Sequence, residues 1–430
     1  MKRGSGIATY AFNLNLCLND LGYRTEILYG PERIGGKDRL LSEIALFDAA
    51  PIASASKPIG AALRLLARLT APLGRRARRI TPSGEVITRQ MARHVPPCEG
   101  LWLSKDVFHA ANRAHATWGR ITPLRLEDAE HGRPDIMHWT CPLPLRAVGM
   151  PNLYTIHDLV PLRLPFATLD NKRRFLKLCG QIRGTADQVV TVSEHSRQDI
   201  VRILGVDEAR VTVTHQCVDL PVAITSRPED EVAREVAGVF GLDWKGYFLF
   251  FGAIEPKKNL ARVIEAYLAS GTAAPLVIIG GAAWLDEDET RMIYGDLVEV
   301  SALRDGMIRR ADRIRRYEYL PFSLLVSLIR GARATLLPSL YEGFGLPVLE
   351  SMLLRTPVLA STAGSLPEVA GEAALLVDPY DTQAIRRAIE ALDRDGDLRA
   401  ELSERGARQA AKFSPEVYRQ RLADLYKPFG

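Results

Sequence analysis

The sequence predicts two doubly wound α/β domains in series, and three observations carry that expectation. First, the 430 residues exceed what one ordinary core encloses and suit two domains of roughly 200 residues each. Second, short apolar segments recur along the chain with helical apolar patterns between most of them, as parallel strands joined by crossovers require. Third, Pro221 and Pro228 mark a linker from Pro221 to about Asp230. The expected domains are residues 1–222 and 231–412, with a C-terminal helix at 413–430 returning to the first.

Composition narrows the class of protein. Apolar residues make up 47% and charged residues 25%, the balance of a soluble globular enzyme. A net charge of +5, from 56 basic and 51 acidic residues, is too weak to argue for a nucleic-acid partner. Cys17, Cys98, Cys141, Cys179 and Cys217 include no Cys-x-x-Cys pair, so neither a disulfide framework nor a zinc site is expected. The most apolar long stretch, Leu320 to Pro338, is interrupted by Arg330 and Arg333 and does not read as a membrane span. The expected location is the cytoplasm, at most peripheral to the inner face of its membrane.

In chain order, Gly4-Ser5-Gly6 leads into a helical pattern at Ile7, Tyr10, Ala11, Leu14 and Leu18, ended by Gly22. Arg24 to Tyr29 reads as a strand. A glycine turn opening a helix normally follows a strand, and none precedes this one, so the expected true start lies upstream of Met1. Further strands are expected at Ile136 to His138, Leu153 to Ile156, Gln188 to Val192 and Val211 to Thr214. After the linker come Tyr247 to Phe251, Leu276 to Ile279, Ala334 to Leu337, Val358 to Ala360 and Ala374 to Val377. There is no internal repeat.

The most informative segment runs from Ser339 to Glu350 and contains Glu342, Gly343, Phe344, Gly345, Leu346 and Pro347. A strand ends near Pro338, a glycine-rich loop follows, and Pro347 occupies a favoured first-turn helix position. The backbone N–H groups of Phe344, Gly345 and Leu346 then face outward at a helix N-terminus, a ready site for phosphate or sugar oxygens. A carboxylate accepts two hydroxyl hydrogen bonds at once, which suits Glu342 and Glu350 to a sugar edge or a ribose diol. The bland alternative is a helix start with one capping and one surface glutamate.

This segment resembles the Glu-x7-Glu motif of retaining glycosyltransferases of the two-domain GT-B fold, family four. The resemblance implies two Rossmann-like domains facing across a cleft. It implies that Glu350 binds the donor ribose, and that Glu342 holds donor sugar hydroxyls near the reacting carbon. The backbone from Gly343 to Leu346 would contact that sugar. A second segment, Gly252-Ala253-Ile254-Glu255-Pro256-Lys257-Lys258-Asn259, falls between a strand and a helix. A lysine there can neutralise a departing diphosphate. It resembles the family's Glu-Pro-basic-Lys-Asn turn, in which Lys258 meets the diphosphate; Ala253 stands where an arginine is common, and Lys257 is the candidate to compensate. The alternative for the lysine pair is a solvated surface turn.

The third segment, Leu153 to Pro161, resembles the family's His-Asp turn, which implies that His157 touches the donor sugar or the developing charge. Alone, a histidine after a strand is more often structural. Gly4 and Gly6 resemble the family's first-domain glycine loop. Ser193 is expected to be a helix N-cap. Leu276 to Gly281 and Tyr317 to Pro321 match family framework around the nucleobase pocket. The resemblance leaves out roughly residues 33–130. There, an apolar and arginine-bearing helical pattern at Ile59 to Leu69, followed by Arg75, Arg76, Arg78 and Arg79, suggests either a surface helix or a peripheral membrane contact through 59–80.

The implied reaction moves a hexose-type sugar from a nucleotide-sugar donor to a saccharide or lipid-linked acceptor, with retention of configuration. No Asp-x-Asp stands out beyond the acidic run Asp286 to Glu289, so neither a metal nor another cofactor is expected. Inversion would instead favour His157 as general base. Two rivals remain at this point: a nucleotide-sugar epimerase on the same scaffold, and a non-catalytic scaffold protein.

Overall fold

The computed structural model describes residues 6–31, 40, 43, 74–80, 85–86, 97–127, 132–281, 299–304 and 307–429, with side chains of 299–304 and 307–312 excluded. Gly4, most of 59–80 and the acidic run at 286–289 therefore lie outside the described residues or largely so.

The first domain holds nine strands among the described residues: β1 Glu26–Tyr29, β2 Arg75–Ile80, β3 Gly100–Leu103, β4 Thr122–Glu127, β5 Met137–Trp139, β6 Leu145–Ala147, β7 Asn152–Thr155, β8 Gln188–Thr191 and β9 Val211–Val213. They form two sheets, a five-stranded one in the order β1-β3-β2-β4-β6 and a four-stranded one in the order β5-β7-β8-β9. The second sheet is wholly parallel, whereas β2 runs antiparallel to β3, which corrects the expectation of parallel strands throughout. Both β1 and β5 are edge strands.

Arg75, Arg76, Arg78 and Arg79 fall on a strand, which corrects a helical reading of that end of 59–80. They lie in β2, where alternation buries Ala77 completely and leaves Arg76 and Arg78 exposed. Arg79 is bound in place by Glu26, with Nη2 at 2.7 Å from Oε1, while the Trp102 indole N–H donates to the other carboxylate oxygen at 2.6 Å. Arg76 pairs with Glu127 at 3.2 Å. These arginines are sheet and rim residues rather than one face of an amphipathic helix; the pattern at 59–69 lies outside the described residues.

The second domain contains β10 Phe248–Phe251, β11 Leu276–Ile279, β12 Glu299–Arg304, β13 Met307–Asp312, β14 Ile314–Tyr317, β15 Ala334–Leu337, β16 Val358–Ser361 and β17 Leu375–Val377. β12 and β13 form an antiparallel hairpin. The other six make one parallel sheet in the order β14-β11-β10-β15-β16-β17. Its strands read as continuous apolar runs because both faces are covered. Phe248 and Phe250 point into one cluster with Val263 and Ile389, and Leu249 and Phe251 into another with Val348 and Tyr418. Chain order runs outward from β10 in one direction and from β15 in the other. The crevice beyond their carboxyl ends is thus the switch point where open α/β sheets bind ligands.

After β9 the chain continues through the helices Val222–Thr225 and Glu229–Phe240. The helix Pro415–Tyr426 lies against the opening helix Gly6–Asp20, and Arg419 reaches Asp20 at 3.0 Å. Tyr426 OH hydrogen-bonds His138 on β5, and its ring lies 5.7 Å from that of Tyr23. One apolar cluster consequently runs from Tyr10, Leu14 and Leu153 through Leu249 to Tyr418 and Tyr426.

Candidate functional site

Two loops leave the carboxyl ends of β10 and β15 and are fastened to each other by backbone and amide bonds. Asn259, in the left-handed region at φ 63°, donates from its side-chain amide to the carbonyls of Pro338 at 3.0 Å and Pro379 at 2.7 Å. The Leu340 N–H donates to the Lys257 carbonyl at 2.7 Å. This fastening sets Lys258 against Glu342: the ammonium donates to Glu342 Oε1 at 2.6 Å, and both side chains are nearly withdrawn from solvent. Lys257 lies 3.3 Å from Glu255.

Gly345, at φ 103°, is the N-cap of the helix Leu346–Leu353, with Pro347 in its first turn. A side chain in that backbone region is strained, which is what glycine relieves. The Phe344 ring is buried between those of His215 and Phe413, at 6.3 and 5.5 Å, so its side chain anchors the loop while its backbone faces the cleft. Among the described residues the N–H groups of Phe344, Gly345 and Leu346 have no protein acceptor. Glu350 follows one turn into the helix and is half-buried.

The first domain meets this loop at the turn after β7. A Cβ on Gly343 would lie 2.8 Å from Asp158 Oδ2 and 2.9 Å from the His157 carbonyl, so only glycine permits the approach. His157 Nε2 lies 2.9 Å from the Thr140 carbonyl, which can only accept; the proton therefore sits on Nε2 and leaves Nδ1 as the free lone pair. The edge-on ring of Tyr10 stands 4.7 Å away. Tyr10 OH in turn bonds Thr155 Oγ1 at 2.9 Å, and Thr155 bonds His138 Nε2 at 2.8 Å. Across the cleft, Gly6 opens its helix opposite Leu346, whose Cδ1 is 3.9 Å from where a Gly6 Cβ would be. These contacts bring Gly6, His157, Lys257, Lys258, Glu342, Gly343 and Leu346 together where the two domains meet, with Phe344, Gly345 and Glu350 on the same loop and helix.

Three partners escaped the sequence reading. Asp158 sits against Gly343. Asp199 accepts from Tyr341 OH at 2.8 Å. Glu368, on the helix Leu366–Ala370 of the second domain, accepts from the N–H groups of Glu194 at 2.9 Å and His195 at 3.2 Å, and from His215 Nε2 at 2.6 Å. Ser193 caps that same helix, Glu194–Leu204, as its sequence position suggested, and Glu368 adds a second anionic cap from the other domain. Long-range pairs of this kind leave no local pattern. The one signal for Asp158 was its place beside His157.

The charges explain one another. Burial opposes ionisation of Glu342, yet Lys258 and Lys257 outweigh it and hold its carboxyl below the usual range. Burial likewise opposes charge on Lys257, but Glu342, Asp158 and Glu255 together raise its pKa. Glu350 lacks such compensation: burial pushes it up to about 7, and Lys258 only partly offsets this. Burial also lowers His157, against the Thr140 carbonyl and Asp158, so the imidazole is neutral near neutral pH. The cleft thus presents a buried cation, two carboxylates of different basicity and a neutral imidazole around unpaired N–H groups. Such a set can bind hydroxyls and stabilise a departing anion.

Two facing α/β domains with this set at the switch point define a GT-B glycosyltransferase, and comparison with known proteins agrees. Residues 242–409 match the family described as glycosyl transferases group 1, and residues 85–221 match glycosyltransferase family 4. The O-antigen chain mannosyltransferase B of Escherichia coli is 32% identical over 278 residues, covering 64% of this chain and 69% of that one. A D-inositol 3-phosphate glycosyltransferase of Thermobispora bispora is 27% identical over 391 residues, 81% of this chain and 87% of that one. The chain belongs to the family 4 glycosyltransferases. It is an enzyme of that class, and the non-catalytic scaffold reading is set aside. Among solved structures, sucrose-phosphate synthase from Thermosynechococcus elongatus superposes with a TM-score of 0.60 at 17% identity, over 99% of this chain and 93% of that one. Anabaena HepE in complex with UDP and glucose gives 0.59 at 14% identity, over 94% and 99%. At such identities these structures speak for the fold alone. No helix among the described residues is long and apolar enough to cross a membrane.

Proposed function

We propose that the enzyme transfers a hexose, mannose first among the candidates, from a nucleoside diphosphate sugar to a saccharide or lipid-linked acceptor, with retention and without a metal. The observation that carries the reading is the buried pair of Lys258 and Glu342, 2.6 Å apart at the mouth of a helix N-terminus. In the unliganded protein Glu342 holds Lys258 in place. With donor bound, Lys258 would turn to the diphosphate and Glu342 to the sugar hydroxyls, while Glu350, once ionised, accepts from the ribose diol. The mannosyltransferase names of relatives support mannose as the first sugar to test.

In this mechanism the bond between the anomeric carbon and the diphosphate oxygen breaks, and the acceptor oxygen bonds that carbon from the same face. The acceptor proton passes to the departing phosphate oxygen. Lys258 and the N–H groups of Phe344, Gly345 and Leu346 stabilise the negative charge as it grows. His157, neutral and fixed by Thr140, offers Nδ1 to a sugar hydroxyl. Domain contact through Gly343 excludes the water that would otherwise hydrolyse the donor.

Calorimetry with GDP-, UDP-, ADP- and TDP-sugars in EDTA, on wild type and Glu350→Ala, tests the donor half. One donor should bind at micromolar strength and be lost in the variant. Product NMR then reads the anomeric configuration: inversion would replace this mechanism with His157 as base. Turnover of the donor to its epimer without acceptor would favour the epimerase instead.

A further inference from the structure

The residue that precedes Glu342 is held from the other domain. Tyr341 is 4% exposed and packs on Val160, Leu164 and Ala167, with the His195 ring edge-on at 5.4 Å. Its hydroxyl donates to Asp199 Oδ2 at 2.8 Å, across 142 positions, on the first-domain helix Glu194–Leu204. Burial, reinforced by Asp199, pushes the phenol well above its usual pKa, so Tyr341 remains the donor of this bond. Asp199, 2% exposed, is itself fixed within the first domain: Arg202 Nη2 lies 2.7 Å from Oδ1, and Arg163 Nε 3.4 Å from Oδ2. A carboxylate oriented by two guanidinium groups is a stiff acceptor.

Tyr341 and Glu342 thus face opposite ways, the one bound to Asp199 of the first domain and the other to Lys258 of the second. Donor binding treats these two bonds unequally. In the proposed transfer Lys258 turns to the diphosphate and lets Glu342 go, while the buried Tyr341 hydroxyl stays with Asp199. Two kinds of bond then keep the loop in register. Within the second domain the Glu342 carbonyl accepts from Ser365, at 3.2 Å from its N–H and 3.0 Å from its Oγ. Between the domains the Asp199–Tyr341 bond is the short one; the Gly343 carbonyl adds a longer contact, 3.4 Å from Ser196 Oγ on the same helix.

We propose that Asp199, acting through Tyr341, is a positioning residue for Glu342: it sets that carboxylate against the donor sugar after Lys258 has moved, and only while the two domains are together. This rests on the transfer reaction proposed above. As the bond to the diphosphate breaks, positive charge grows on the anomeric carbon, and the hydroxyl hydrogen bonds to Glu342 strengthen with it. A carboxylate set off its mark therefore costs the transition state more than it costs the bound donor.

The test is nucleoside diphosphate release by the full chain from GDP-mannose, UDP-glucose, ADP-glucose and TDP-glucose, with water as acceptor, alongside calorimetric donor binding. Tyr341→Phe keeps the ring in its apolar seat. A cavity of about 390 Å³ beside Arg163, His195 and Arg202 admits water to Asp199 in place of the lost hydroxyl, so the variant folds. Its kcat should fall about tenfold, the worth of one hydrogen bond to a charged acceptor, with donor KM and Kd within about twofold of wild type. Asp199→Ala should do the same; the two arginine side chains it releases, 38% and 65% exposed, are reached by solvent. Asp199→Asn, which keeps an acceptor oxygen, should recover most of the rate. The double variant Tyr341→Phe/Asp199→Ala should be no slower than the slower single one, because both cut one link. A lower melting temperature with unchanged kcat, a change confined to KM, or losses that multiply in the double variant would overturn the inference and leave the transfer reading intact. Wild type that turns over none of these four sugars would remove that reading and the inference with it.

Discussion

The two domains follow one plan and are held together differently. In the second, β10 lies inside a continuous six-stranded sheet, with Phe248 and Leu249 at 0% exposure, Phe250 at 1% and Phe251 at 3%. In the first, β1 is an edge strand and all four of its residues are only half-buried. The strand that launches the lysine turn is thus locked on both sides. The first domain adds a side-chain link between its elements: Tyr10, Thr155, His138 and Tyr426 form one chain of hydrogen bonds. The histidine turn also leaves an interior strand, β7, paired to β5 and β8, and to that ladder the first domain adds the side-chain network and the Glu368 clamp.

The largest expected effect breaks the second domain's chemistry. Lys258→Ala should lower the transfer rate by ~10²–10³, the usual cost of one preorganised donor to a developing anion. A loss confined to KM would show that Lys258 binds donor and transition state alike, and would move the leaving-group role elsewhere. Leu249→Ala in β10 and Leu28→Ala in β1 then test the contrast in stability. The first should cost about 3–4 kcal/mol and the second about 1–2, because a half-buried site leaves less cavity. Equal shifts in denaturant midpoint would mean that the broken sheet is as tightly packed as the continuous one.

Third comes the clamp. Glu368→Ala leaves two helix N–H groups and His215 without their acceptor, at a cost of about 2 kcal/mol. Thermal unfolding should show that loss, with a raised KM for donor because cleft closure weakens. An unchanged melting temperature and KM would mean the domains are held by packing alone. The smallest effect concerns Glu350. Its folded-state pKa is raised to about 7, and only its ionised form accepts two hydroxyls, so donor affinity should fall as pH drops below 7. Between pH 7 and 6 the ionised fraction falls about fivefold, so the expected weakening is about fivefold, or about 1 kcal/mol. Calorimetry across that range should lose the slope in Glu350→Gln; a slope that persists would belong to another group.

Much of this was legible from local pattern. The four-residue strands of the second domain showed as apolar runs because burial on both faces removes alternation, and Leu276–Ile279 and Ala334–Leu337 fall where they were expected. β2 was not legible. Its Arg-Arg-Ala-Arg-Arg-Ile has one small buried residue among four cations, and its place is set by the ladders to β3 and β4 with Arg79 paired to Glu26. The short edge strand β6, Leu145–Ala147, gave no run to read.

What the sequence by itself determined is the order of elements and the chemistry at their ends. Glycine, proline and paired acids act within a few residues, so a loop that caps a helix and offers a carboxylate declares itself locally. Only the tertiary structure decided the pairings. That Lys258 meets Glu342 across 84 positions, that Gly343 leaves room for Asp158, and that Glu368 caps a helix of the other domain follow from how sheets and domains stack. Contacts between distant positions carry no sequence period, and their electrostatic worth comes from the shared burial that folding creates.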